Sequence, residues 1–348
     1  MTENAFVSTR PRFKVNGEIR AGMESALTAM AINLPLHGCA HGELHLTNWG
    51  TPEGERDPGF VFDDIALGAE VEIEFGQEDP VSIFKGEVTA IEERYGEGAP
   101  GLVLLLQDRL HRLARVRHSR GFEDQSPDDL VRSIAGDAGL QADADISSLT
   151  ATWLQMNESD LAFLMRIAGR FDIALRLAGN TLRAKPEEED PDPVALSAQD
   201  SALKVRLVAD LNHQPDESKV QGYSLADDTD ASAASGGMTP APGGATAAAT
   251  LGDLGWNSAE IVPHPFARSG AEAEAYAKAH FRRQARRFIH GEIVCQGEPA
   301  LKAGREIDLS GVSPRLRGIY QIVHCVHRFD NVCGYETHLK VNKGGWQP

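Results

Sequence analysis

The sequence is short of cysteine, of long apolar runs and of positive charge. Its four cysteines, Cys39, Cys295, Cys325 and Cys333, are irregularly spaced. They therefore indicate neither a disulfide framework nor a Cys-x-x-Cys metal knuckle, and we expect reduced thiols in a protein made in the cytoplasm. No apolar run of about 18 residues occurs, which argues against a transmembrane helix.

Negative charge exceeds positive charge in the chain as a whole. Asp and Glu number 51 against 34 Lys and Arg, which gives a formal net charge of -17 at pH 7. Such a chain is not expected to bind nucleic acid directly or to associate with anionic membranes. The first residues also lack the apolar segment of a signal peptide, so we expect cytoplasmic synthesis and no membrane insertion.

Motifs of common catalytic sites are absent as well. There is no Gly-x-Ser-x-Gly nucleophile elbow and no phosphate-binding Gly-Lys-Ser/Thr loop. The nearest approach to a metal site is His37-x-Cys39-x-His41, followed by His45, because on one strand these four residues would share a face. Glycines interrupt this run, so ordinary strand residues are favoured and we expect no metal, no cofactor and no catalytic residue. A metal-dependent hydrolase using His37, Cys39 and His41 is the alternative.

The 348 residues suffice for two or three domains. From about residue 13 to 108, short alternating runs such as Val71–Phe75 are separated by Gly, Pro and Asp, a pattern typical of a β-sandwich or barrel. A helical middle follows. Alternating strands return from residue 291 onward and end in a hairpin across Asp330-Asn331.

Capping signals mark the middle helices. Ser126 followed by Pro127 predicts a helix start, and Gly139 can end that helix in the left-handed conformation. Asn157 predicts a second cap, with Asp160 as its acidic capping-box partner.

A strand over 173–177, a Gly179-Asn180 turn and a return strand from Thr181 predict a hairpin after the second helix. Further along, the Ala-rich stretch 270–288 predicts a helix with an acidic start and a basic end.

Two stretches are poor in apolar residues. Residues 187–193, EEEDPDP, predict an acidic loop, and residues 225–253 are rich in Ala, Gly, Ser, Thr and Asp. The second stretch predicts a long mobile loop or a segment that orders only on a partner. Between them, residues 201–224 alternate and should rejoin a β-domain.

Arginine is concentrated in two patches despite the acidic total. The first contains Arg109, Arg112, Arg115, Arg117 and Arg120, and the second contains Arg282, Arg283, Arg286 and Arg287. On a helix, the second patch forms a positive stripe because its members stack four residues apart. We expect a docking surface for an acidic neighbouring subunit, with Arg109, Arg112 and Arg115 as further interface candidates. A solvated helix face is the alternative.

Four stretches in order carry a family resemblance: residues 83–92 (IFKGEVTAIE), 102–140, 153–185 (WLQMNESDLAFLMRIAGRFDIALRLAGNTLRAK) and 299–341. Together they resemble the phage late control D family. That family forms the baseplate hub of contractile phage tails and related injection machines, and shares its hub region with the VgrG spikes of type VI secretion.

The resemblance implies an α+β, mainly β fold. Two tube-protein-like antiparallel β-barrel domains, residues 1–108 and 187–348, would flank a small α/β insert at residues 109–186. A homotrimer would then place six such domains in a ring, incorporated at the tube tip of a phage tail or tail-like particle.

The implied function is structural and not enzymatic. The partners would be two further copies of the chain, the inner tube ring and a separate spike protein, with other baseplate or tape-measure components as candidates. The spike is expected to be separate because the sequence ends at residues 344–348, soon after the last hub strand. VgrG proteins append an oligonucleotide/oligosaccharide-binding fold and a β-helix there. The host system stays open, and a monomeric β-sandwich binding module is a second alternative.

Overall fold

Strands dominate the computed structural model, which describes residues 10–51, 56–76, 79–96, 98–238, 243–256 and 258–347. The first part of the chain contains one short helix, α1 (Met23–Ala26). Its strands are β1 (Arg12–Val15), β2 (Glu18–Ile19), β3 (Leu27–Pro35), β4 (His41–Thr47), β5 (Glu70–Phe75), β6 (Val81–Arg94) and β7 (Gly101–Gln107). In β5, Val71, Ile73 and Phe75 are buried, so the predicted strand is confirmed.

The middle part opens with a 3-10 helix (Arg109–Ala114) and then alternates strands with helices. These are β8 (Arg117–Gln125), α2 (Pro127–Asp137), β9 (Gln141–Ala144), β10 (Ala151–Ser159), α3 (Asp160–Arg170), β11 (Arg176–Ala178) and β12 (Thr181–Ala184). Helix α2 begins as predicted, with a reciprocal capping box between Ser126 and Asp129. Gly139 follows its end at φ 68°, also as predicted.

The start of α3 differs from the prediction by two residues. Ser159 and not Asn157 caps the helix, since its Oγ accepts a hydrogen bond from the backbone N–H of Ala162 at 3.3 Å. Asn157 belongs to β10 and has φ 50°, at the point where the pairing with β8 shifts register. Asp160 is the first residue of α3 and accepts from Arg120 at 2.7 Å.

The last part returns to strands, with two helices. Its elements are β13 (Val194–Ser197), β14 (Ala202–Ala209), β15 (Glu217–Ser224), β16 (Thr229–Ser235), β17 (Ala245–Thr246), α4 (Ala247–Leu254), β18 (Ala259–Ala267), α5 (Gly270–Ala285), β19 (Ile289–Gln296), β20 (Glu306–Ser310), β21 (Gly318–Asp330), β22 (Gly334–Lys343) and β23 (Gly345–Trp346). Helix α5 and the β21–β22 hairpin confirm two predictions. No helix in the described ranges is long and apolar enough to cross a membrane.

The prediction of a mobile loop at residues 225–253 is wrong for most of that stretch, which contains β16 and α4. Ala231 in β16 is 1% exposed because α5 packs closely over this strand. In α4, Ala247 and Leu251 are buried, and Thr246 caps the helix. The low apolar content of the stretch predicted a lack of order because small side chains each bury little area. The same small side chains permit close packing of a helix on a strand. Residues 239–242 lie outside the described residues.

Most strands belong to one large sheet. Its order is β14-β19-β22-β21-β3-β4-β7-β6-β5-β1-β2, with β20 and β13 attached beside β21. The antiparallel pairing of β21 with β3, in which Cys325 lies opposite Leu34, joins the first and last parts of the chain. The predicted module at 201–224 divides, because β14 joins this sheet whereas β15 lies in the sheet β16-β15-β18.

Three hydrophobic cores underlie these elements. One lies in the first part around Phe13 and Leu104, and another in the last part around Ile293. The middle core unites Phe163 of α3 with Tyr276 of α5 and with residues of β15, β16 and β18. The predicted domain boundary at residue 187 therefore does not coincide with the boundary between cores, since residues of β15, β16, β18 and α5 also pack on the middle part.

Close approach of β15 and β18 requires Gly222. A Cβ atom there would lie 1.9 Å from the carbonyl oxygen of Ala267. We expect Gly222→Ala to lower the free energy of unfolding by about 2 kcal/mol, because the strands must separate to admit the methyl group. Thermal denaturation measures this. The control is Gly121→Ala in β8, whose new Cβ would meet Leu154 at an ordinary 3.6 Å. Equal melting of both variants would contradict the packing argument.

Candidate functional site

Asp172 is the centre of an ionic cluster that ties α5 to the end of α3. Its carboxylate contacts Arg282 at 2.9 Å, Arg283 at 3.4 Å and also Arg286. The Asp172 side chain is only 8% exposed, and burial lowers the pKa of the Arg286 guanidinium. A single buried carboxylate therefore neutralises part of a charge cluster that would otherwise repel itself.

The backbone explains why an aspartate stands at this point. Asp172 follows the last turn of α3 with φ 58°, a left-handed conformation that Asp tolerates better than most residues. Arg282 donates to the carbonyl oxygen of Phe171 at 2.8 Å, and Arg283 donates to that of Gly169. The arginines thus also satisfy carbonyl groups at the negative end of the helix dipole.

The arginine stripe predicted on α5 is directed mostly into the chain. Arg282, Arg283 and Arg286 contact Asp172, whereas Arg287 is exposed. The i,i+4 spacing therefore located a group of arginines on one side of the helix, but their nearest acidic partner belongs to the same chain. Their role as docking residues stays a prediction, and Arg287 is the exposed candidate.

The first arginine patch is dispersed. Arg109 donates to the side chain of Asn180, and Arg112 binds Glu87 through two hydrogen bonds. Arg115 is exposed just beyond the 3-10 helix. Arg112 and Arg115 are therefore the exposed interface candidates of this patch, and that role also stays a prediction.

A cleft of about 1190 Å³ opens beside the Asp172 cluster. It lies between α3, β10, β18 and the end of α5, over residues of β21. Its wall carries six arginines and two carboxylates: Arg166, Arg170, Arg268, Arg283, Arg286, Arg287, Asp172 and Glu187. In a chain with a net charge of -17, the cleft is a local concentration of positive charge.

Trp153 carries two of these arginines on its ring. The guanidinium carbon of Arg268 lies 4.7 Å from the ring centroid and that of Arg170 lies 5.6 Å from it. The indole N–H donates to the carbonyl oxygen of Gln125 at 2.8 Å, which fixes the ring. Cation–π contacts therefore hold both arginines at the cleft wall. The sequence pattern gives no sign of Trp153, Arg170 or Arg268 as site residues, because no local signal brings β10 beside residue 268.

The histidine and cysteine run does not form the predicted strand face. Residues 36–40 connect β3 to β4, and His41 begins β4. His37 accepts a hydrogen bond from the backbone N–H of Leu175 at 2.9 Å, and burial beside Arg283 lowers its pKa. In the ranges that the structure describes, no group of three His, Cys, Asp or Glu side chains is placed to hold a metal ion.

Cys39 is part of a structural hydrogen-bond network around Asp108. The Cys39 thiol donates to Asp108 Oδ1 at 3.0 Å, and the same carboxyl group accepts from the backbone N–H groups of Ala40 and Leu110 at 2.7 and 2.9 Å. Burial raises the pKa of both the thiol and the carboxyl group. A thiol with a raised pKa is a poor nucleophile and a poor metal ligand at neutral pH.

A second polar network is enclosed in the core of the last part. His327 is fully buried, and its Nε2 donates to the carbonyl oxygen of Leu301 at 3.0 Å. Its Nδ1 accepts from the Tyr335 hydroxyl at 2.9 Å. Both nitrogens of the neutral ring are satisfied, and burial lowers the pKa of His327 to about 4.

Comparison with protein families identifies the chain. The model of the family described as Alg8 N-terminal domain matches residues 63–331, well over half of the sequence. The chain belongs to the Alg8 N-terminal domain family. The matched stretch includes all six arginines of the cleft. No curated protein matches the sequence. The family name differs from the late control D family that the motifs resemble, so membership of that specific family stays a prediction.

Solved structures share the fold of this Alg8 N-terminal domain protein over nearly its whole length. The 43 kDa tail protein of prophage MuSo2 from Shewanella oneidensis has a TM-score of 0.72 and 14% identity, over 97% of this chain and 98% of that one. A tail protein from Neisseria meningitidis MC58 has a TM-score of 0.67 and 11% identity, over 97% and 98%. The E. coli c3393 protein, a component of the type VI secretion system, has a TM-score of 0.61 and 13% identity, over 97% and 79%. The predicted mainly β fold is thus confirmed as the fold of these tail and secretion proteins.

Proposed function

We propose that this protein is a structural component of a phage tail or of a tail-like injection system, without enzymatic activity. The observation that carries the proposal is the end-to-end fold similarity to the prophage MuSo2 tail protein. An enzyme built on this fold would need a site, and the motif nearest to one is taken up by structural hydrogen bonds at His37 and Cys39.

More specifically, we propose a baseplate hub: a homotrimeric adaptor that joins the hexameric inner tube to a separate spike. The c3393 protein supports this, since it exhibits structural similarity to the T4 bacteriophage tail proteins gp27 and gp5. The arrangement of β-structure in two parts with separate cores supports it as well. Three copies would supply six β-units, and a closed ring of subunits ends growth by symmetry.

Subunit contacts would use surfaces that a single chain leaves open. Among the described residues, the large sheet ends at β14 on one side and at β2 on the other, and open strand edges favour pairing with another chain. Among the interface candidates, Arg112, Arg115 and Arg287 are exposed. The other four, Arg109, Arg282, Arg283 and Arg286, would act mainly by holding the chain's own elements in position.

Light scattering coupled to size exclusion tests the hub. We expect a mass near three times 37.6 kDa, and class averages from electron microscopy should show rings with a central hole. A mass of one chain that persists after co-expression with an inner tube protein would contradict the hub and favour the monomeric β-sandwich module. Zinc at one equivalent per chain in purified protein would instead support the metal-dependent hydrolase.

A further inference from the structure

The cleft beside Trp153 is bordered by β10, one edge of which has no partner strand among the described residues, and by the proline-containing part of β18. In the described ranges, β10 pairs only with β8, and β18 pairs only with β15. The carbonyl oxygen of Thr152 in β10 accepts from Arg268 at 2.7 Å, and that of Leu154 accepts from Arg166 at 2.9 Å. The open edge of β10 therefore faces the arginines of the cleft.

Part of the positive charge in the cleft is not matched by a carboxylate. Arg166 pairs with Glu158 and Arg268 with Glu272, both acids of the same chain. Arg287 is exposed and, within the described ranges, its guanidinium has no acidic partner. Arg170 lies over the ring of Trp153, and in the part of the chain that the structure describes no carboxylate pairs with it. The cleft can therefore accept further negative charge at these two arginines.

Apolar side chains are exposed at the same place. Leu154 is 57% exposed and Phe266 is 59% exposed, and both line the cleft together with Met165. Arginine and aromatic residues grouped around a concave apolar surface are the typical composition of a protein-binding hot spot.

We propose that this cleft binds an extended acidic segment of a partner protein. Carboxylates of the segment would pair with Arg170 and Arg287, and an apolar side chain would pack between Leu154 and Phe266. An extended backbone fits because the open edge of β10 forms one border of the cleft. This binding site is independent of the chain's place in a tail particle.

The occupant is a different protein and neither this chain nor nucleic acid. The acidic stretch at 187–193 is already engaged, since Glu187 pairs with Arg176 and Arg183, and Asp190 pairs with Arg305. A nucleic acid would meet the -17 charge of the whole chain, and its sugar–phosphate backbone offers nothing for the apolar wall.

Fluorescence anisotropy on the full chain tests the site with a short labelled peptide in which Glu and Val alternate. We expect saturable binding that weakens as salt is added. Arg287→Glu and Phe266→Ala should each weaken it about tenfold. Both residues are exposed, so both variants should melt at the wild-type temperature.

Matched controls separate the cleft from general charge and apolar effects. Arg328→Glu changes the same charge on an exposed part of β21 that is outside the cleft, and Leu225→Ala removes an apolar side chain that is 91% exposed elsewhere. Both should bind the peptide as the wild type does. The proposal is overturned if the peptide does not bind at millimolar concentration, if the cleft and control variants bind equally, or if a Lys-Val peptide or an oligo-dT binds as well.

Discussion

Asp172→Asn is expected to lower the free energy of unfolding by about 3 kcal/mol, because it leaves three clustered guanidinium groups without their shared negative charge. Asparagine keeps the size of the side chain and one acceptor oxygen, so the loss reports charge and not cavity formation. The side chains of Arg282, Arg283 and Arg286 are 29%, 41% and 33% exposed. Because solvent screens them in part, the expected loss of stability is at the low end of the range for breaking a buried ion pair. Urea denaturation followed by circular dichroism measures it.

A double-mutant cycle sharpens this test. Arg286→Gln should cost less in the Asp172→Asn background than in the wild type, because the arginine has then lost its partner. Glu274→Gln is the surface control: Glu274 pairs with Lys278 on the exposed face of α5, with side chains 60% and 64% exposed, and no measurable change is expected. Strictly additive losses at residues 172 and 286 would show that the cluster does not stabilise the α3–α5 contact.

Elements with a complete local signal were predictable from the sequence. Neighbouring residues determine three such elements: the capping box between Ser126 and Asp129, the Gly179-Asn180 turn and the Ala-rich helix α5. The structure contains all three. The strand predicted over 173–177 begins only at Arg176, because the N–H of Leu175 donates to the His37 side chain and its carbonyl oxygen accepts from the N–H of Gly38. Strand β16 was missed because its alanines are ordered by α5, an element that follows in sequence.

The site depended on contacts that no local pattern encodes. Helical spacing correctly grouped the arginines of α5. Their direction toward the interior depends on Asp172, which binds them and lies 110 residues before Arg282 in the sequence. Trp153 and Arg268 meet only because the β16-β15-β18 sheet packs against the middle part. The spacing of His37, Cys39, His41 and His45 would place all four on one face of a single strand. The fold instead divides this run between a connection and β4.

Stability should fall steeply below about pH 6.5, and His327 should account for about 3 kcal/mol of that loss. The folded protein keeps this ring neutral down to a pKa of about 4, whereas in the unfolded chain the ring takes up a proton near its ordinary pKa of 6.5. Between those two values only the unfolded state gains the proton. The stabilisation is therefore fully present above pH 6.5 and is lost progressively as the pH falls to about 4.

The variant that isolates this effect is His327→Gln, whose amide can still donate to Leu301 and accept from Tyr335 but does not titrate in this range. His37 and His324 also have pKa values lowered by burial, and both remain in the variant, so the difference between the two proteins reports His327. Urea midpoints measured from pH 7.5 to 4 should fall less steeply for His327→Gln than for the wild type. Parallel curves would mean that His327 is protonated in the folded core, which would require Tyr335 to turn and accept a hydrogen bond from Nδ1.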